Sequence, residues 1–183
     1  MAIDTDSERD GALTPARHRL DIVKSLVIRD AQVSDLPTLV RFNTTMAWDT
    51  EKRRLPEATI TAGVARALAA PQLCRYYVAE VDGRVVGQTM VTFEVTDWED
   101  GLVHWIQSVF VEPEFRGLGI FKRLYHHVIS VAKAEGDGRR VRLYVEKDNA
   151  AAIATYERLG MSQAHFHIYE TKLNPAQPSS VLG

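Results

Sequence analysis

The sequence is short of the residues that covalent or metallic bracing requires. Cys74 is the one cysteine among 183 residues, so no disulfide can close within the chain and no CxxC or Cys/His zinc set can be built from it. A lone thiol outside any Cys/His signature reads as a packed side chain and fits a reducing compartment. Long apolar runs are also missing. The opening "MAIDTDSERDGALTPARHRL" holds no stretch long enough for a signal peptide or a membrane span. Net charge is -2, which removes the global positive field that draws nucleic acid or anionic lipid. Lys52-Arg53-Arg54 and Arg139-Arg140 are short basic runs that read as solvated faces. The six histidines form no HExxH pattern; His165 and His167 alternate along a predicted strand, and His126-His127 are neighbours on a predicted helix. These absences predict a cytoplasmic protein with no metal and with neither nucleic-acid nor membrane partners.

What remains is the composition of an ordinary globular domain, 45% apolar and 25% charged. Residues 1–24 are polar and read as a loose arm, 25–172 as the folded domain and 173–183 as a tail. Within the domain, "LVIRDA" predicts a short strand. A helix over "SDLPTLVRFNTTMAW" follows, with Ser34 as its N-cap. "PEATITAGVARALAA" is a second helix, opened by Pro56 and closed near Pro71. In "RYYVAEVDGRVVGQTMVTFEV", Asp82-Gly83 is a turn between two β-rich runs. "LVHWIQSVFV" is a further strand ended by Pro113. A helix to about Glu135, a strand over "RVRLYVE", a helix over "NAAAIATYERLG" stopped by Gly160, and a last strand over "AHFHIYET" complete the order. This is one mixed α/β domain with βαβ content in its second half.

"FRGLGIFKRLYHHV" (Phe115–Val128) puts Arg116, Gly117 and Gly119 at the mouth of a strongly amphipathic helix. Leu118, Phe121, Leu124 or Tyr125, Val128, and Val131 or Ala132 recur at steps of three or four, and predict the buried face. The first turn of a helix carries unpaired N–H groups and the positive end of the peptide dipoles, which suits an anion such as phosphate. Glycine lets a ligand come close to the backbone because no Cβ intervenes. Arg116 would add a charged donor. The Gly-Lys-Ser/Thr of a P-loop is absent, and Lys122 stands where a dinucleotide fingerprint needs its third glycine. On spacing alone the two glycines fit either a diphosphate cradle or a tight strand-to-helix turn.

The stretch "VFVEPEFRGLGIF" resembles the Gln/Arg-x-x-Gly-x-Gly/Ala motif of the GNAT superfamily of acetyl-CoA-dependent N-acetyltransferases. Arg116, Gly119 and the turn Glu112-Pro113-Glu114 carry the likeness. A second element of that family, Asn-x-x-Ala-x-x-x-Tyr-x-x-x-Gly-Phe, resembles "NAAAIATYERLGM" through Asn149, Ala152, Tyr156 and Gly160. The two motifs stand in register, and the likeness runs from Leu26 to Thr171. Phe121 occupies the small last position of the first motif, and Met161 replaces the aromatic of the second.

The resemblance implies the GNAT-type fold: a central twisted, mainly antiparallel sheet with one parallel pair splayed at the cofactor site, flanked by helices. It implies acetyl-CoA as acyl donor. Backbone groups of Val109, Phe110 and Val111 would face the pantetheine arm, and amides of Arg116, Gly117, Leu118, Gly119, Ile120 and Phe121 the diphosphate. Asn149 would cap its helix or touch the cofactor. The acceptor would be a primary amine of a small molecule or peptide, attacking directly in a ternary complex, and homodimers are common among members. Tyr156 is the implied proton donor to the leaving sulfur, since a phenol stays protonated at neutral pH. Many members carry a glutamate as base where this chain has Trp105. Glu94 on the neighbouring strand is the first substitute, acting through water, and Glu51 the second. His104 should face away from Trp105 because strand side chains alternate. Trp98, with Asp97, Glu99 and Asp100, reads either as a cation-binding cluster or as an acidic hairpin tip. The missing glutamate also leaves room for a second reading, a non-catalytic acyl-CoA-binding regulatory module.

Overall fold

The computed structural model describes residues 15–171 and residue 173, which fall into two compact units divided between Tyr144 and Val145. In the first unit the elements run α1 (Pro15–Ser25), β1 (Val27–Asp30), α2 (Leu36–Glu51), α3 (Glu57–Leu68), β2 (Cys74–Val81), β3 (Arg84–Thr96), β4 (Gly101–Val111), α4 (Ile120–Glu135) and β5 (Gly138–Leu143). The five strands form one sheet in sequence order. β1 to β4 pair antiparallel, and β4 and β5 pair parallel. The mixed sheet with flanking helices predicted from the sequence is therefore present.

Side-chain alternation decides what each face of the sheet carries. Tyr76 and Val78 of β2 pack with Leu39 of α2 and Val64 of α3, all buried. Tyr77, between them, turns the other way and meets the ring of His127 on α4 at 4.8 Å between centroids. So α2 and α3 cover one face and α4 the other. Removing a leucine-, valine- or phenylalanine-sized side chain from water contributes about 1.5–3 kcal/mol, and the fully buried Leu39, Phe42, Leu124 and Val128 are the main apolar anchors of these helices. The β2–β3 turn follows the predicted chemistry: Asp82 and Gly83 both take positive φ, 49° and 79°, as a two-residue hairpin needs.

Three sequence expectations are corrected. Residues 15–24, read as the end of a loose arm, belong to helix α1 (Pro15–Ser25), because Ile22 finds a buried place and the Val23 carbonyl accepts a hydrogen bond from Arg123 Nη1 at 2.9 Å; residues 1–14 of that arm lie outside the described residues, as does the tail beyond Leu173. Ser34 is not the cap of α2. It sits in a short 3-10 turn over Val33–Asp35, and α2 starts after Asp35. The strand predicted over 164–171 is absent: these residues are irregular and exposed. Alternation alone does not make a strand, which needs a partner's ladder of hydrogen bonds, and none of the five paired strands includes these residues.

Asp35 closes the capping box of the Val33–Asp35 turn and is also held by an arginine. Arg29 Nη1 and Nη2 donate to its two oxygens at 2.7 and 3.1 Å, Gln32 N–H donates at 2.7 Å, and Arg29 Nε also reaches Glu80 at 2.7 Å. The hydrogen bonds from Arg29 lower the carboxyl below its ordinary 3.8, against the opposing effect of burial. The folded chain thus binds this proton more weakly than the unfolded chain. The resulting stability is fully present above the ordinary carboxyl value and is lost as pH falls through the lowered one. Asp35→Asn is expected to cost about 2–3 kcal/mol at pH 7, with the gap to wild type narrowing below about pH 4. Urea melts of both proteins across pH 3–7 measure this, and a gap that does not change with pH would contradict it.

Candidate functional site

Strand β4 carries a bulge in its second half. Gln88 of β3 pairs with Phe110 and Met90 with Gln107, so Thr89 alone opposes Ser108 and Val109. Ser108 takes a left-handed φ of 50°, a conformation that costs a non-glycine residue about 1–2 kcal/mol. Two polar side chains of β3 support it. Gln88 Nε2 donates to the Ser108 carbonyl and Thr89 Oγ1 to the Gln107 carbonyl, each at 3.2 Å, and both residues are buried. The bulge coincides with a parting of strands. β5 pairs with β4 from Leu102 to Ile106, whereas β4 runs on to Val111. Beyond Ile106 the backbone edge of β4, including Val109, Phe110 and Val111, has no partner from β5. Phe110 turns its ring onto Phe42 of α2, 4.6 Å between centroids, which fixes how this end of β4 sits on the helix layer.

The strand then enters a tightly held turn. The Glu112 N–H donates to the Val86 carbonyl and the Phe115 N–H to the Glu112 carbonyl, both at 2.9 Å. The Glu112 carboxylate is buried and accepts from Arg41 of α2 at 2.8 Å and from Arg84 of β3. One side chain therefore ties α2, β3 and the turn together. The sequence identified Glu112 only as part of a turn; nothing in its spacing marks the carboxylate as buried.

Gly117 and Gly119 both adopt left-handed φ, 75° and 78°, and Gly119 is the N-cap of α4. The first backbone bond of the helix runs from Arg123 N–H to the Gly119 carbonyl at 3.1 Å. The N–H groups of Ile120, Phe121 and Lys122 precede it and are the donors that a helix start leaves over. A Cβ built on Gly119 meets no atom within 4 Å: its outer side is open space, the room that an approaching anion requires. Beneath the helix start the opposite holds. A Cβ on Gly87 would lie 3.1 Å from the Phe110 carbonyl and 3.3 Å from the Ile120 side chain, so glycine there lets α4 and β4 close on β3. Ile120, Leu124, Val128 and Ala132 recur at steps of four and are buried, while Phe121 is half-buried and turned toward Tyr125, 6.3 Å between ring centroids. The predicted face is present at Leu124, Tyr125, Val128 and Ala132, and at the helix start Ile120 takes the buried place expected of Phe121. Arg116 folds back so that its Nε donates to the Val111 carbonyl at 2.9 Å; the guanidinium keeps further N–H groups for a ligand.

Glu94 and Trp105 share a face. Trp105 Nε1 donates to Glu94 Oε2 at 2.6 Å, Arg142 of β5 lies 3.5 Å from Glu94 Oε1, and the Trp105 ring stacks on Tyr144 at 4.6 Å between centroids. Glu94 remains half-exposed, and each carboxylate oxygen can accept a second hydrogen bond from water. His104 points to the other face as expected, buried against Phe93 at 5.1 Å. Glu51 ends α2 and is exposed. Trp98 is 94% exposed and Glu99 is paired with Arg140 at 2.7 and 2.8 Å, the geometry of an acidic hairpin tip.

In the second unit, α5 (Ala150–Arg158) carries the other motif. Asn149 Oδ1 accepts the Ala152 N–H at 3.1 Å, the N-cap bond expected of it. Gly160 takes φ 84° at the helix end. Tyr156 is half-buried, and burial pushes its phenol above the ordinary value of 10.

Comparison with known proteins points one way. Residues 36–161 match the family model described as Acetyltransferase (GNAT) family. A crystal structure of a possible acetyltransferase from Clostridium difficile 630 is 37% identical, with a TM-score of 0.77 over 82% of this chain and 99% of that one. An uncharacterized N-acetyltransferase of Methanocaldococcus jannaschii is 37% identical over 89 residues, 48% of this chain and 39% of that protein. The chain thus spans well under half the length of that curated relative. A predicted acetyltransferase from Clostridium acetobutylicum, solved with acetyl-CoA, shares the fold at 20% identity, with a TM-score of 0.65 over 80% of this chain and 96% of that one.

Proposed function

Because the chain belongs to the GNAT acetyltransferase family, we propose that it transfers the acetyl group of acetyl-CoA to a primary amine of a small molecule or peptide, by direct attack in a ternary complex. The observation that carries this reading is the continuity of the first unit's site: a β4 edge over Val109–Val111 that β5 does not pair, a turn anchored by Glu112, and a helix start opened by two left-handed glycines. Those three features fit, in order, an extended amide-bearing arm, its bend and a diphosphate.

Acetyl-CoA, when bound, supplies an acyl thioester; the protein's residues do the rest. Backbone groups of Val109 and Val111 hydrogen-bond the arm as a neighbouring strand would, which positions the reacting carbonyl; those of Phe110 turn to β3, as does the Glu112 N–H two residues on. The Val109 N–H, in the bulge, offers a donor where negative charge develops on the reacting carbonyl's oxygen. Amides from Gly117 to Phe121, with the Arg116 guanidinium, hold the diphosphate; the Arg116 N–H itself is taken by the Pro113 carbonyl at 3.2 Å. Glu94 accepts the amine's proton through water. Tyr156 Oη holds the proton for the departing sulfur. Asn149 caps α5 with its side-chain oxygen, and contact with the cofactor is its second proposed role.

Free-thiol release from acetyl-CoA, followed over a panel of primary amines and basic peptides, tests the reading. Turnover that depends on an amine is the expected result. Tight binding of CoA with no turnover on any amine would make the protein a regulatory binding module instead, and no binding of CoA would remove both readings.

A further inference from the structure

Helix α1 lies ahead of residues 36–161, which carry the family match, yet it reaches the diphosphate loop. Arg123, in the first turn of α4, donates from Nη1 to the Val23 carbonyl in the last turn of α1 at 2.9 Å, and Ile22 of α1 is buried. The helix is thereby fastened to the same turn of α4 whose amides open toward solvent. One turn earlier in α1, the Arg19 guanidinium approaches the loop itself: a Cβ built on Gly117 would lie 3.7 Å from Arg19 Nη2. Arg19 is exposed and makes no hydrogen bond or ion pair with any described residue. No carboxylate among the described residues neutralises it. A guanidinium with no partner among the described residues thus stands beside a left-handed glycine two residues ahead of the α4 cap, and adds positive charge to the loop.

We infer that Arg19 is a ligand of the cofactor's diphosphate, supplied by a helix outside the family-matched stretch, so that α1 forms one wall of the nucleotide site. The inference rests on the proposed acetyl-CoA reading. It is the diphosphate and not the ribose phosphate that Arg19 contacts, because the contact is made at Gly117, inside the loop whose amides face the diphosphate. A planar, permanently charged fork suits two phosphate oxygens and loses little hydration when it pairs with them. The contact is exposed, so its strength is modest and falls with salt.

The test compares wild type, Arg19→Gln and Arg19→Lys in the full chain, by calorimetry with CoA and by initial rates with acetyl-CoA. Arg19→Gln is expected to weaken CoA binding and raise KM for acetyl-CoA about five- to tenfold at low ionic strength, with kcat within twofold of wild type. Arg19→Lys should recover part of the loss, and 0.5 M salt should shrink the difference. With dephospho-CoA the loss should persist. With acetyl-pantetheine, which has no diphosphate, wild type and variant should behave alike; this arm separates a lost phosphate contact from a disturbed fold. Equal CoA affinity for wild type and Arg19→Gln overturns the inference and leaves the acetyltransferase reading standing. A loss that vanishes with dephospho-CoA overturns the assignment to the diphosphate. Wild type that binds no CoA overturns the reading on which the inference rests.

Discussion

Tyr156→Phe is expected to lower kcat for acetyl transfer about a hundredfold, the lower end of what a positioned general acid contributes, while the affinity for CoA stays within twofold of wild type. The substitution removes one oxygen and keeps the ring, so α5 and its Asn149 cap stay intact. Burial already holds the phenol above its ordinary 10, which keeps the proton on Oη throughout the neutral range. The pH profile carries a second signature. Loss of the proton from Oη should bring the wild-type rate down only above about pH 10, and that alkaline limb should be missing from the residual rate of the phenylalanine variant. If Tyr156 were only a packed aromatic, phenylalanine would leave both kcat and the profile as they are.

Gly119→Val is expected to abolish detectable CoA binding, at least a hundredfold loss, with acetyl transfer lost in proportion. Two effects act together. Gly119 holds φ 78°, which a β-branched side chain adopts only at a cost of about 1–2 kcal/mol or more. The new side chain would also fill the open space over the helix start. A Cβ there meets no atom within 4 Å, so the added branches project into the space proposed for the ligand. Gly63→Ala is the matching control. Gly63 lies inside α3, where an added Cβ also meets nothing within 4 Å, and alanine in a helix interior should leave binding untouched and add up to about 1 kcal/mol of stability. A Gly119→Val protein that binds CoA normally would show that the loop is a turn and no cradle. Thermal melts of both variants keep a folding defect separate from a binding defect.

Much of the first unit was legible because its elements obey local rules. Asp82-Gly83 marked a hairpin through the φ values its turn demands, and Arg116 to Phe121 marked a helix mouth through two glycines ahead of a 3.6-residue apolar period. What escaped the sequence is non-local. The buried Glu112 carboxylate depends on arginines 71 and 28 residues away. The bulge at Ser108 rests on Gln88 and Thr89 of another strand, and a Gln-Thr pair inside the apolar run "VVGQTMV" was the only trace of it. The proximity of Arg19 to Gly117 links residues separated by four of the sheet's five strands. The predicted strand over 164–171 failed for the converse reason: its local alternation was real, but pairing is decided elsewhere. Among the site residues, the loop and the β4 edge both belong to the first unit, and in the second Asn149 caps the helix α5 that carries Tyr156.

The anchoring of Glu112 has a kinetic consequence. A carboxylate clamped by guanidinium groups from α2 and β3 orders the adjoining turn when the domain folds, so an arriving nucleotide has little chain entropy left to remove. Capture should then be close to a rigid-body event, with a small heat-capacity change and no slow isomerisation after encounter.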